Sequence, residues 1–218
     1  KIILTNGAFI ISNSPWEIGG IDKKTIISGK KNNQGGGLYI GDTEELTKIE
    51  NTEIAYLSGY NINLNSEYLI LGSINFYETN LEIKDVYFKN ILSEDAINIF
   101  RSNFNITNVN YRNIFSDAID IDFSKGNINN ARFININNDA IDFSGSNAIV
   151  YDAYFSNVND KLISAGEKSK INISKIKAVN SHAGIVSKDG SEVYSKDINF
   201  DGVKIPFAAY QKKKEYNH

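Results

Sequence analysis

Asp95-Ala96-Ile97-Asn98, Asp117-Ala118-Ile119-Asp120 and Asp139-Ala140-Ile141-Asp142 are three copies of one phrase. They start 22 residues apart, since 117 − 95 and 139 − 117 are both 22. A fixed period in this range marks a repeat architecture, in which each unit buries its apolar side only by stacking on its neighbours. Within each copy the apolar residues fall at every second position: Ile97 and Ile99, Ile119 and Ile121, Ile141 and Phe143. That alternation is a strand signal. Asn98, Asp120 and Asp142 lie between the apolar positions and therefore point away from the core. Any function legible in the sequence lies on this outward acidic row.

Working outward, the repeat is regular from Leu81. Leu81, Ile83, Val86, Phe88 and Ile91 recur as Phe104, Ile106, Val109, Tyr111 and Ile114, with shorter echoes at Ala131, Phe133, Ile136 and at Ala153, Phe155, Val158. An asparagine precedes each turn, at Asn90, Asn113, Asn135, Asn157 and Asn180, with spacings of 23, 22, 22 and 23. Each unit holds about three short strands and returns the chain one strand spacing along, which is a parallel β-helix. The expected fold is all-β, a single-domain right-handed solenoid of about nine or ten coils, the count following from the period. The hand comes from the rule for parallel crossovers. The asparagines are expected to form an internal ladder, because a buried amide needs such partners. A β-sandwich is the competing fold, but its strands would not repeat residue for residue.

Residues 1–80 read as less regular coils and 81–214 as regular ones. The early strands are short, at Ile2-Leu4, Ala8-Ile11, Glu17-Ile18 and Thr25-Ile27, and are continued by Ile49 to Leu57 and Leu69 to Phe76. Gly41 to Lys48 is the one stretch with the look of a helical turn. The glycine-rich loop Asn32 to Gly37 precedes a strand, whereas a phosphate cradle needs a helix N-terminus. Neither end shows a capping helix, so self-association through the coil ends is an expectation.

Composition narrows the class. The 218 residues are 41% hydrophobic and 22% charged with a net charge of −3, as in a soluble globular chain. That balance, with no basic stripe, excludes a nucleic-acid binder. Lys212-Lys213-Lys214 reads as a solvated tail. No cysteine is present, so disulfide and thiol chemistry are excluded. No apolar run approaches the ~20 residues of a membrane span. The missing initiating methionine suggests a mature or excised segment.

Several stretches, in this order, resemble a known bacterial module: Gly35-Gly36-Gly37-Leu38, Ile74-Asn75-Phe76-Tyr77-Glu78, Ser93-Glu94-Asp95-Ala96, Asn138-Asp139-Ala140-Ile141-Asp142-Phe143-Ser144-Gly145-Ser146, Asp160-Lys161-Leu162-Ile163 and Phe207-Ala208-Ala209-Tyr210. The module is the right-handed parallel β-helix at the C-terminal region of large secreted bacterial proteins of the spore-coat-kinase-like group. The resemblance implies an extracellular or cell-surface setting and a polysaccharide or cell-surface glycan as partner. Asn137-Asn138-Asp139-Ala140-Ile141-Asp142 also resembles the catalytic phrase of pectin-active β-helix enzymes. Where those enzymes carry adjacent aspartates one coil on, this chain reads Asp160-Lys161, and their histidine-glycine element is approximated by His182-Ala183-Gly184.

The candidate site follows from the register. Asp95, Asp117 and Asp139 stack at one corner with Lys161 next in line, and Asp120 stacks with Asp142 while Asp122 lies two residues from Asp120. Carboxylates ~5 Å apart resist joint ionisation. Three resolutions are available: a shared proton, a Ca²⁺ ion held by Asp120 and Asp142, or a cation from Lys161 or Arg101. Catalysis would fall to Asp120, Asp122, Asp139, Asp142 and Lys161, in the paired-carboxylate geometry of glycoside hydrolysis or as a lyase or epimerase with Lys161 as base. Asp95, Arg101, Asp117 and Glu167 are candidates for binding, with Tyr87, Tyr111 and Tyr154 as aromatic platforms if they face outward. His182 is expected at a coil corner, and His218 is the terminus. The simplest alternative makes the aspartates turn residues bonded to backbone.

Overall fold

The computed structural model describes residues 1–59, 68 and 70–216. Among these are fifteen strands and no helix. Every pairing between the strands is parallel, which excludes the sandwich. The chain is a parallel β-solenoid of about nine turns. Its register shows the period: Leu81 pairs Phe104, Phe104 pairs Gly126, Gly126 pairs Ala148 and Ala148 pairs Ile171. The first coils are longer. Phe9 pairs Gly37, Leu38 pairs Ile74, and the register shifts between Thr43 and Thr47. Gly41 to Lys48 is no helical turn but part of the strand Gly37–Ala55. Leu69 and His218 lie outside the described residues.

Stacked coils place like on like. Phe88, Tyr111, Phe133 and Phe155 form one column inside the solenoid, with ring centroids 4.6, 5.1 and 4.9 Å apart and planes within 6° of parallel. All four rings are fully buried. Each such burial contributes about 1.5–3 kcal/mol. Tyr111 is therefore core, not platform.

The asparagines are where the expectation fails. Asn90, Asn113, Asn135, Asn157 and Asn180 all have φ between 49° and 58°. They occupy the left-handed turn that closes one corner of the coils from Asn90 to Asn180, a conformation Asn tolerates better than most non-glycine residues. The amides do bond in series, Asn113 to Asn90 at 3.1 Å, Asn135 to Asn113 at 2.8 Å and Asn157 to Asn135 at 2.9 Å. Those from Asn113 to Asn180 are exposed, however. The ladder exists, on the outside.

The internal ladder is made of serine. The Ser102, Ser124, Ser146 and Ser169 N–H groups donate to the Oγ of Ser124, Ser146, Ser169 and Ser191 at 3.0, 2.9, 3.0 and 3.1 Å. Thr79 N–H begins the series by donating to Ser102 Oγ at 3.1 Å. Ser102, Ser124, Ser146 and Ser169 are buried. The chain turns away from its strand at these serines, and each hydroxyl satisfies a backbone donor that the ladder of strands cannot reach.

The C-terminal lysines are not a free tail. Asp189 Oδ1 accepts the Lys212 and Lys213 N–H groups at 2.6 and 2.7 Å, and the Lys213 ammonium pairs with Glu167.

Candidate functional site

The site residues lie on or directly before four successive short strands, Asp95–Phe100, Asp117–Asp122, Ile141–Ser144 and Lys161–Gly166. Ile97 and Ile99, with their equivalents one and two coils on, fill the core. The intervening side chains must point outward. Asn98, Asp120, Asp142 and Ser164 align in register as one outward row. Tyr77, Phe100, Asp122, Ser144 and Gly166 align as a second. A third row at the preceding corner holds Asp95 and Asp117, with Asp139 and Lys161 one and two coils further.

The expected grouping is thus present. Backbone amides link the corner row: Asp139 N–H donates to Asp117 Oδ1 at 2.8 Å, and Lys161 N–H donates to Asp139 Oδ1 at 2.9 Å. The Lys161 ammonium lies 3.2 Å from Asp139 and 2.5 Å from Asp160. Of the three ways to relieve carboxylate repulsion, a cation serves Asp139. Asp120 instead accepts a hydrogen bond from the Asn98 amide at 3.0 Å. Arg101 does not join the group; it pairs with Glu78 at 3.3 Å and lies over the Phe100 ring. Glu167 is at the rim, held by Lys213.

Burial dominates the electrostatics. Asp95 and Asp139 are 4% and 3% exposed. Burial, reinforced by the neighbouring Asp117 carboxylate, pushes the Asp95 pKa to about 8. Burial lifts Asp139 to about 7 against the pull of Lys161. It lifts Asp117 to about 6 against the hydrogen bond from the Asp139 amide, and Asp122 to about 6 with help from Glu167. Burial and Asp95 raise Asp120 well above the carboxylate range. For Lys161, burial opposes the charge, yet Asp160 and Asp139 outweigh it and raise its pKa. Near neutral pH this row therefore holds protonated and ionised carboxyls side by side.

No group of three or more His, Asp or Glu side chains among the described residues is arranged to hold a metal ion. Two features of the site were not singled out from the sequence, a buried lysine and an aromatic strip. Lys188, buried, lies 3.7 Å from Asp142 Oδ1. Tyr77 and Phe100 stack at 5.3 Å, and Phe123 meets Phe100 edge-on at 5.7 Å, making an outward aromatic strip beside the acidic row. Their signal was an apolar residue at a polar position, Phe100 directly after Ile99. Tyr87 and Tyr154 are half-buried in a different part of the coil, beneath Lys89 and Arg132. His182 is exposed, two residues past the corner at Asn180.

No protein-family model matches the chain, and no curated protein matches it. Among solved structures it is similar to the catalytic domain of a GH87 α-1,3-glucanase in complex with nigerose, at 9% identity and a TM-score of 0.31, covering 96% of this chain and 62% of that one. It is also similar to PfbA, a surface protein and adhesin of Streptococcus pneumoniae, in two structures. One has 11% identity, a TM-score of 0.23 and coverage of 96% and 86%; the other has 10%, 0.25, and 96% and 80%. The chain thus spans less than two thirds of the glucanase domain. Similarity at this level carries no functional argument, and the solenoid rests on the register described above.

Proposed function

We propose that the chain is a glycan-binding module of an exported or cell-surface protein, and that it holds its ligand along the acidic face without cleaving it. The observation that carries this reading is the pairing of two outward rows. Asp120 and Asp142, half-buried at one strand spacing with the buried Asn98 amide holding Asp120, carry hydrogen-bonding groups, and Tyr77 and Phe100 offer ring faces in the adjacent row. Sugars present hydroxyl donors and apolar ring faces, and a strip with both complements them. The charge sign points to uncharged or amino sugars. A polyuronate would meet like charge here and would need an intervening cation.

Isothermal titration against cello-, xylo-, manno- and chito-hexaose and against hexagalacturonate tests this. A neutral or amino hexasaccharide should bind, Phe100→Ala and Asp120→Asn should each weaken it about tenfold, and no shorter product should form. Binding confined to hexagalacturonate, or release of oligosaccharides, would favour the rival reading, an enzyme acting on acidic glycans through Asp120, Asp122, Asp139, Asp142 and Lys161. In that case a Ca²⁺-dependent rise in melting temperature, lost in Asp142→Asn, would assign the ion to Asp120 and Asp142.

A further inference from the structure

Asp142 Oδ1 and Ser164 Oγ are buried atoms with no hydrogen-bond partner. The two residues are register neighbours on adjacent coils. Both face outward, since Ile141, Phe143, Ile163 and Ala165 occupy the core. Ser164 is 0% exposed. Native structures leave few buried polar groups unmatched, and removing one from water without a partner is costly.

A third polar group stands beside Asp142. The Lys188 ammonium stands 3.7 Å from Asp142 Oδ1, close enough for attraction and too far for a hydrogen bond. Its stem passes over Gly166, where an added Cβ would lie 3.5 Å from Lys188 Cε and 3.9 Å from Nζ. A carboxylate oxygen accepts, an ammonium donates and a hydroxyl does both. A hydroxyl group entering as the flexible Lys188 stem swings outward can accept from Lys188 and Ser164 and donate to Asp142, so that each is matched at once.

We propose that Asp142, Ser164 and Lys188 form a subsite for a single hydroxyl of the bound glycan. The subsite rests on the glycan-binding reading and fixes one contact within it. Tyr210 is paired with Lys188 on the last coil and is 45% exposed. It offers the adjoining sugar an aromatic surface beyond the seat.

The experiment uses the hexasaccharide that binds wild type best and the same sugar made in its monodeoxy forms. Ser164→Ala should lower affinity about tenfold, the effect of one buried hydrogen bond. It should leave the melting temperature unchanged or raised, because alanine removes an unmatched hydroxyl. Asp142→Asn and Lys188→Met should also bind more weakly. One deoxy form should bind wild type about tenfold more weakly than the parent sugar and should show no such difference with Ser164→Ala. If Ser164→Ala binds like wild type, the subsite is refuted and the glycan reading stands. A lower melting temperature with unchanged affinity would mean that the hydroxyl serves the fold, and would also refute it. If no hexasaccharide binds wild type, the glycan reading fails, and the subsite with it.

Discussion

The asparagine corner (Asn90, Asn113, Asn135, Asn157) and the acidic corner row (Asp95, Asp117, Asp139) repeat at the same period and differ in what their side chains meet. The asparagines stand at the surface in left-handed turns, where a neutral amide bonds to the next at no electrostatic cost. The aspartates are largely buried, and burial and like charge both oppose ionisation. Repetition alone therefore says little about function. A polar row that the turn geometry requires can be chemically idle. A row that the fold strains to accommodate is the better candidate for a site.

The largest expected effect comes from breaking this contrast with pH. Asp117, Asp122, Asp139 and Asp95 have folded pKa values of about 6, 6, 7 and 8, all raised from 3.8. A raised folded pKa means that the native state binds protons more tightly than the unfolded state. The associated stability is full below 3.8 and is lost as pH rises through the folded values. Urea unfolding between pH 4 and pH 8.5 should show stability falling by several kcal/mol, less than the four shifts would give independently because neighbouring carboxyls share their protons, and opposite in sense to acid denaturation. Asp95→Asn should flatten the upper part of that slope, whereas Asn135→Asp should not. A stability that rises across this range would remove the distinction between the two rows.

The second effect sharpens the comparison by adding the inner serine ladder. Ser146 Oγ accepts the buried Ser124 N–H at 2.9 Å and donates toward the Ile121 and Ser144 carbonyls, each at 3.0 Å. Ser146→Ala leaves the Ser124 N–H unmatched and should cost about 1–3 kcal/mol. In a chain of this size that is a drop of about 2–4 °C per kcal/mol in melting temperature. Calorimetry that found no drop would mean that Ser124 N–H reaches water.

The sequence made the solenoid plain because the Asp-Ala-Ile phrase and the core column from Phe88 to Phe155 share one period. It also placed the aspartates on one outward face, and there the register held. The polar ladders were harder to read. Serine recurs at 102, 124, 146, 169 and 191 as regularly as asparagine does, yet period alone does not tell a buried row from an exposed one. The deciding fact is the turn: φ near 55° at the asparagines puts them at a bend in contact with solvent. Lys188 was invisible for another reason. It lies 46 residues from Asp142, about two coils on, and reaches back through the length of its stem, which no strand pattern encodes.

The smallest effect tests whether the asparagine corner is held by its turn or by its ladder. Asn135 donates to Asn113 at 2.8 Å and accepts from Asn157 at 2.9 Å, both exposed, with φ at 58°. Exposed amide bonds exchange with water and contribute little, whereas a β-carbon without a local polar partner is disfavoured in the left-handed region. Asn135→Ala should therefore cost about 1 kcal/mol, and Asn135→Gly, which breaks the same two bonds but accepts that φ freely, should stay within about 0.5 kcal/mol of wild type. If Gly and Ala cost the same, the bonded amides stabilise the corner and the contrast with the serine ladder is one of degree. If Gly is neutral, the asparagines recur because each coil must turn there, which leaves the strained acidic row as the part of the repeat that turn geometry does not explain.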